Sequence, residues 1–220
     1  MFAYGIEQGI IFSNPAAGLK QAKVRTKRPD VPTRGQFAAL IAEMRAGGSR
    51  DSNNCADLAE GLAYTGCRKS EAAEIAWRDL DFASSRIRVQ GDPDEATKNS
   101  EERTLPMNGA ARRLFERMRA ARPDEGQDEK VFLVNECQGA IDRAAAVAKV
   151  PRITHHTCRH YFVTVCIESG APAPFVSAWI GHKDGGKLLM KTYHTYSTRI
   201  ARRQRGACNS TPTNPRTLFP

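Results

Sequence analysis

Hydrophobic spacing changes period twice along this chain, and that double change confines what it can fold into. Phe37, Leu40, Ile41 and Met44 recur at i, i+3, i+4 and i+7, the stripe of a helix with one buried face. Around Arg86-Ile87-Arg88-Val89 the pattern alternates, as on a half-buried strand. Past Asn108, a suitable N-cap, Ala111, Leu114, Phe115 and Met118 return to helical spacing. The pattern predicts an α+β fold, mainly α-helical, with a small three-stranded antiparallel sheet between helical segments. The expected strand at 86–89 takes partners at 95–98 and 103–105. Expected helices are the end of one at 5–12, one opening near Thr33 and stopping at Gly47-Gly48, then 53–64 and a short helix from Arg68 through Ile75. Further helices are expected after Asn108 and at about 136–149, 157–168, 173–180 and 187–203. Trp77, Leu80 and Phe82 read as core.

With 220 residues, 40% of them hydrophobic, the chain can bury one sizeable core. No apolar run reaches the roughly 18 residues that span a bilayer, and the first residues lack a basic secretory start, so no membrane partner and a cytoplasmic location are expected. The six cysteines form no CxxC pair, which reads as reduced, mostly buried thiols. A net charge of +9 favours a polyanion. Its distribution sharpens that reading. Lys23, Arg25, Lys27 and Arg28 crowd one short stretch, and Arg202 and Arg203 lie with Arg199 and Arg205 in another, as basic stripes for a phosphate backbone would.

All five histidines lie between positions 155 and 194, interleaved with an arginine and a tyrosine: His156-Thr157-Cys158-Arg159-His160, Gly181-His182, Tyr193-His194. Imidazole titrates nearest neutral pH, and guanidinium grips phosphate oxygens with two parallel donors. A phenol beside such a site can attack phosphorus once its proton is removed and the developing charge is held. The chemistry indicated is phosphoryl transfer.

Upstream, Thr65-Gly66-Cys67-Arg68-Lys69-Ser70-Glu71-Ala72 followed by Trp77-Arg78-Asp79-Leu80-Asp81-Phe82 resembles the first catalytic box of the tyrosine recombinases, the phage-integrase family. Ala96-Thr97-Lys98 with Arg103-Thr104-Leu105-Pro106 is similar to that family's lysine-bearing β-hairpin. His156, Arg159, Gly181-His182 and Tyr193 resemble its second box. The matches run in the family's order over residues 33–205. The resemblance implies residues 1–22 as the last helix of a core-DNA-binding domain, 23–32 as a basic linker, 33–205 as the catalytic domain and 206–220 as a C-terminal tail.

It also implies roles. Arg68 and Arg159 would hold the non-bridging oxygens of the scissile phosphate, His156 would serve as donor or acid–base group, and His182 would bond a phosphate oxygen. Lys98 would protonate the leaving 5′-oxygen, Glu71 would orient Arg68, and Tyr193 would become linked to the 3′-phosphate. Tyr193 stands two residues beyond the commonest family spacing from His182, where Lys191 falls; Tyr196 is its rival. No cofactor and no metal is implied, since arginines, lysine and histidines supply the positive charge. The implied partners are double-stranded DNA attachment sites, further copies of the chain in a tetramer on DNA, and accessory DNA-bending or directionality factors. The implied activity is site-specific recombination that integrates or excises a mobile element. Type IB topoisomerase-like cleavage and a non-catalytic DNA-binding remnant are the alternatives. His155, His160 and His194 stay outside the expected catalytic set.

Overall fold

Thr33 opens the first long helix because its hydroxyl accepts from the Gln36 N–H at 3.2 Å while the Gln36 side chain accepts from the Thr33 N–H at 2.8 Å. The computed structural model describes residues 2–19, 30–91 and 102–182 together with Gly186 and Leu189. In it α1 is Phe2–Glu7, α2 Arg34–Ala46, α3 Ser52–Thr65, α4 Lys69–Glu74, α5 Gly109–Ala121, α6 Gln138–Ala148, α7 His155–Glu168 and α8 Ala173–Trp179. The strands β1 (Leu80–Asp81), β2 (Arg86–Val89) and β3 (Arg103–Pro106) form one antiparallel sheet in the order β1-β2-β3. Among the described residues no helix is long and apolar enough to cross a membrane.

The α3 helix is the axis of the domain. Small residues at Ala56, Ala59, Gly61 and Ala63 alternate with buried Leu58 and Leu62, so neighbours approach it closely on several sides. Helices α2, α5 and α7 all pack on it, and α6 packs on α2. The stripes read from sequence are the buried faces: Phe37, Leu40, Ile41 and Met44 on α2, and Ala111, Leu114, Phe115 and Met118 on α5. Phe115, Phe162, Leu40, Leu58 and Leu62 are essentially inaccessible, each contributing on the order of 1.5–3 kcal/mol by leaving water. Trp77 and Leu80 are buried as expected, and Phe82 is half-buried against the core. The five described cysteines are free thiols, all but Cys55 buried.

Several expected boundaries are corrected. Helix α1 ends at Glu7, not near 12, because Gly9 turns at φ +69°. The second partner of β2 in the described sheet is β1, pairing Leu80 with Ile87 and Asp81 with Arg86. Residues 95–98, expected in that place, lie outside the described residues. Helix α7 starts at His155, two residues early, because Thr154 caps it by accepting from the Thr157 N–H at 3.1 Å. Of the helix expected at 187–203, only Leu189 is described; it is helical and buried.

A Cβ added at Gly61 would lie 2.3 Å from the Phe132 ring. Gly61→Ala should therefore destabilise the fold by about 1–3 kcal/mol despite alanine's better helix propensity, as overpacked cores do. Urea unfolding should show the loss, and adding Phe132→Leu should recover most of it.

Candidate active site

The first box is built where α3 stops. Gly66 ends the helix at φ +69°, and a Cβ there would lie 2.4 Å from the Phe162 ring, so conformation and packing both require glycine. The Thr65 hydroxyl donates to Gly61 O at 2.7 Å and accepts from the Cys67 N–H at 3.2 Å, which fixes the turn. Arg68 then caps α4. Its N–H donates to Glu71 Oε2 and its Nη1 to Glu71 Oε1, both at 2.7 Å. Arg68 is thus held by Glu71 at both its backbone and its guanidinium, while its side chain remains 29% exposed.

Glu71 itself is fully buried. Two guanidiniums share it. From β3, Arg103 donates Nη1 to Oε1 at 2.9 Å and Nη2 to Oε2 at 2.6 Å, a bidentate fork. Burial alone would push the Glu71 carboxyl up, but the Arg103 fork and charge, with the Arg68 hydrogen bonds, hold it down at about 2.

The second box comes from α7. Arg159 is buried; its Nη1 donates to Gly66 O at 2.8 Å and its Nη2 to Ile180 O. One guanidinium therefore spans the turn before Arg68 and the end of α8. Burial, then the Arg68 charge, lower Arg159 to about 10, still cationic at neutral pH. His156 is held below its ordinary value by burial and by the Arg159 and Arg68 charges, so at neutral pH it is an uncharged imidazole with one donor and one acceptor nitrogen. His160 packs edge-on against it at 4.4 Å between centroids. Burial pushes His160 down to about 4, helped by His156, Arg159 and His182.

His182 follows α8 through Gly181, whose φ is +70° and whose Cβ would lie 3.5 Å from Arg103 Nη1. The His182 N–H donates to Ser177 O at 2.9 Å. Arg68, Glu71, His156, Arg159 and His182 thus come from three separate stretches to one locality. Lys98 and Tyr193, Tyr196, and the basic residues Lys23, Arg25, Lys27, Arg28, Arg202 and Arg203 lie outside the described residues. His155 stands apart, with its Nε2 3.3 Å from Cys137 Sγ and 3.1 Å from Glu136 Oε1.

Sequence reading missed Arg103. In the sequence it stands only as part of the hairpin motif, and nothing in its spacing ties it to Glu71. The arginines of α5 and its C-cap Arg122 have partners close by. Arg112 pairs with Glu116, Arg117 with Asp57 and Glu60, and Arg122 with Glu125, while Arg119 lies 5.1 Å over the Trp77 ring. Much of that helix's charge is engaged within the domain.

A model of the phage integrase family matches residues 33–198, three quarters of the chain. The chain belongs to this family. It is 28% identical over 197 residues to the tyrosine recombinase XerC of Xanthomonas axonopodis pv. citri, covering 83% of this chain and 60% of that one. It is 27% identical over 206 residues to XerC of Corynebacterium efficiens, covering 90% and 64%. The chain therefore spans about three fifths of the length of these relatives. Its fold is that of the Tn1549 transposon integrase solved with transposon right end DNA, at TM-score 0.68 and 20% identity over 94% of this chain and 76% of that one. It also matches a lambda integrase dimer bound to a COC′ core site, at TM-score 0.63 and 16% identity over 84% and 68%. A mainly helical domain with a three-stranded sheet is thus the phage-integrase catalytic fold.

The neutral His160 of this integrase-family domain has a pH signature. The unfolded chain protonates this imidazole near 6.5 and the folded chain only near 4, so the unfolded state binds the proton first as pH falls. Stability contributed above pH 6.5 is lost progressively down to about pH 4. Thermal unfolding followed by circular dichroism should show that slope, and His160→Phe should flatten it between pH 6.5 and 5.

Proposed function

We propose that the chain is the catalytic part of a site-specific DNA recombinase that breaks and rejoins strands through a covalent 3′-phosphotyrosine, with residues 33–205 as the catalytic unit. The observation that carries the reading is that Arg159 donates to the carbonyl of Gly66, two residues before Arg68, so two guanidiniums 91 positions apart in sequence meet at one place. Two cations there suit a phosphodiester whose non-bridging oxygens gain charge as phosphorus becomes pentacoordinate. The uncharged His156 beside them suits proton transfer.

In the proposed reaction the Tyr193 oxygen bonds to phosphorus as its proton leaves for a neighbouring base, and the bond from phosphorus to the 5′-oxygen breaks. Lys98 delivers a proton to that oxygen. Arg68 and Arg159 neutralise the phosphoryl oxygens, and His182 donates to one of them. The phosphotyrosine conserves the bond energy, so reversal onto a different 5′-hydroxyl exchanges strands without a nucleotide cofactor. The transposon and lambda integrases whose fold it shares were solved with transposon DNA and a core site, which supports a role in integrating or excising a mobile element. Exchange between two duplexes requires four such sites, hence a tetramer on DNA. The basic residues Lys23, Arg25, Lys27, Arg28, Arg202 and Arg203 serve as its backbone contacts, giving an affinity that falls steeply with salt.

The test is a pool of nicked suicide duplexes with a randomised core, from which protein-linked DNA is recovered under denaturing conditions and sequenced. A recurring sequence joined through a 3′-phosphate is the expected result; no adduct overturns the reading. On the recovered duplex, Tyr193→Phe should abolish the adduct while binding survives, and Tyr196→Phe should keep it. Loss only in Tyr196→Phe would reassign the nucleophile.

Arg159→Lys keeps the charge but cannot span both the Gly66 and Ile180 carbonyls and a phosphate. Single-turnover cleavage should fall about 100-fold, the scale of one lost oxyanion donor, with little change in half-saturating DNA.

A further inference from the structure

Arg103 lies at the start of β3, paired in register with Val89, and only 13% of its side chain is exposed. Its fork engages both oxygens of the buried Glu71, and its Nε donates to Trp179 O at 2.8 Å. Each of those partners touches one arginine of the site. Glu71 accepts from the backbone and side chain of Arg68, and Trp179 precedes Ile180, whose carbonyl accepts from Arg159. Gly181 packs against the same guanidinium. A single planar cation therefore braces the end of α8 against the start of α4, with the sheet as its anchor.

We propose that Arg103 is a positioning residue for the phosphoryl transfer, setting where Arg68 and Arg159 present their donors without itself meeting the phosphate. This rests on the recombinase reading for the chemistry but makes a claim about side chains that can be read without DNA. Lysine cannot replace it, because an ammonium cannot form the parallel pair to Glu71 and the third bond to Trp179 O together. Errors of about 1 Å in a clamp of this kind cost on the order of 100-fold in rate.

The experiment labels the arginines of the full chain with ¹⁵N and assigns the Nε–H resonances of Arg68 and Arg159 from Arg68→Lys and Arg159→Lys. In Arg103→Ala and Arg103→Lys both resonances should shift and exchange faster with water, while those of Arg45 and Arg117, in the distant pairs with Asp57 and Glu60, should hold still as a control on folding. Should Arg103→Ala fail to fold, Arg103→Lys carries the comparison. On the recovered duplex, cleavage should fall about 100-fold in both variants with unchanged half-saturation, and guanidinium ion should partly restore Arg103→Ala. A mere stability role would give no such rescue. Unmoved Arg68 and Arg159 resonances, or unimpaired cleavage, would overturn the proposal. If the natural chain forms no adduct at all, the recombinase reading fails, and the resonances alone decide whether Arg103 positions the two arginines.

Discussion

A buried carboxylate shared by two guanidiniums is the interaction on which the rest of the site depends. Glu71 lies out of reach of water, so it is tolerated only because Arg103 and Arg68 together saturate its oxygens. Removing either cation would leave the carboxylate partly uncompensated in a low-dielectric surrounding, which typically costs several kcal/mol. The arrangement leaves one more positive charge than negative, and the surplus sits on Arg68, whose side chain is the more exposed of the two. Structure and chemistry thus make opposite demands on two similar residues. One arginine is committed inside the fold, and the other keeps part of its side chain accessible to solvent.

Helix ends do the complementary work for Arg159. Chain termini of helices expose carbonyls with no partner inside the helix. The α3 end offers Gly66 O and the α8 end offers Ile180 O, and both point at the same guanidinium. A buried cation that would otherwise be expensive is stabilised by two backbone dipoles. Gly66 and Gly181, at the two ends, both take left-handed turns, and at Gly66 a close approach to the Phe162 ring coincides with it. The high local positive potential also explains the imidazoles: burial and the neighbouring arginines keep His156 and His160 uncharged near neutral pH.

Much of this was legible in the sequence where periodicity or a cap carried the signal. The stripes of α2 and α5, the Thr33 and Asn108 caps and the strand at 86–89 are each set by local rules. The two residues of β1 are too few for alternation to show, and α7 opens from its cap Thr154 with polar His155 and His156, where no apolar spacing marks a start. In the site, the two arginines, His156 and His182 were readable as motifs because each box is contiguous. The Glu71–Arg103 bridge was not, since it joins positions 32 apart across a helix start and a strand. Ion pairs of that separation have no spacing rule. Similarly, Arg117 of α5 pairs with Asp57 of α3, a pairing that its position in the sequence does not announce, while Arg112 of α5 and its C-cap Arg122 pair with carboxylates of α5 and the following turn.

The Arg68–Glu71–Arg103 arrangement requires Glu71 to remain ionised between its two cations. Its side-chain carboxyl can be followed directly by ¹³C NMR in glutamate-labelled protein, assigned with Glu71→Gln, as pH is lowered. The carboxyl should stay ionised well below the ordinary glutamate value of 4.5, titrating at about 2 or persisting until the chain unfolds. A free titration near 4.5 in folded protein would show that Arg68 and Arg103 do not hold it, and the account of how the site is organised would be wrong.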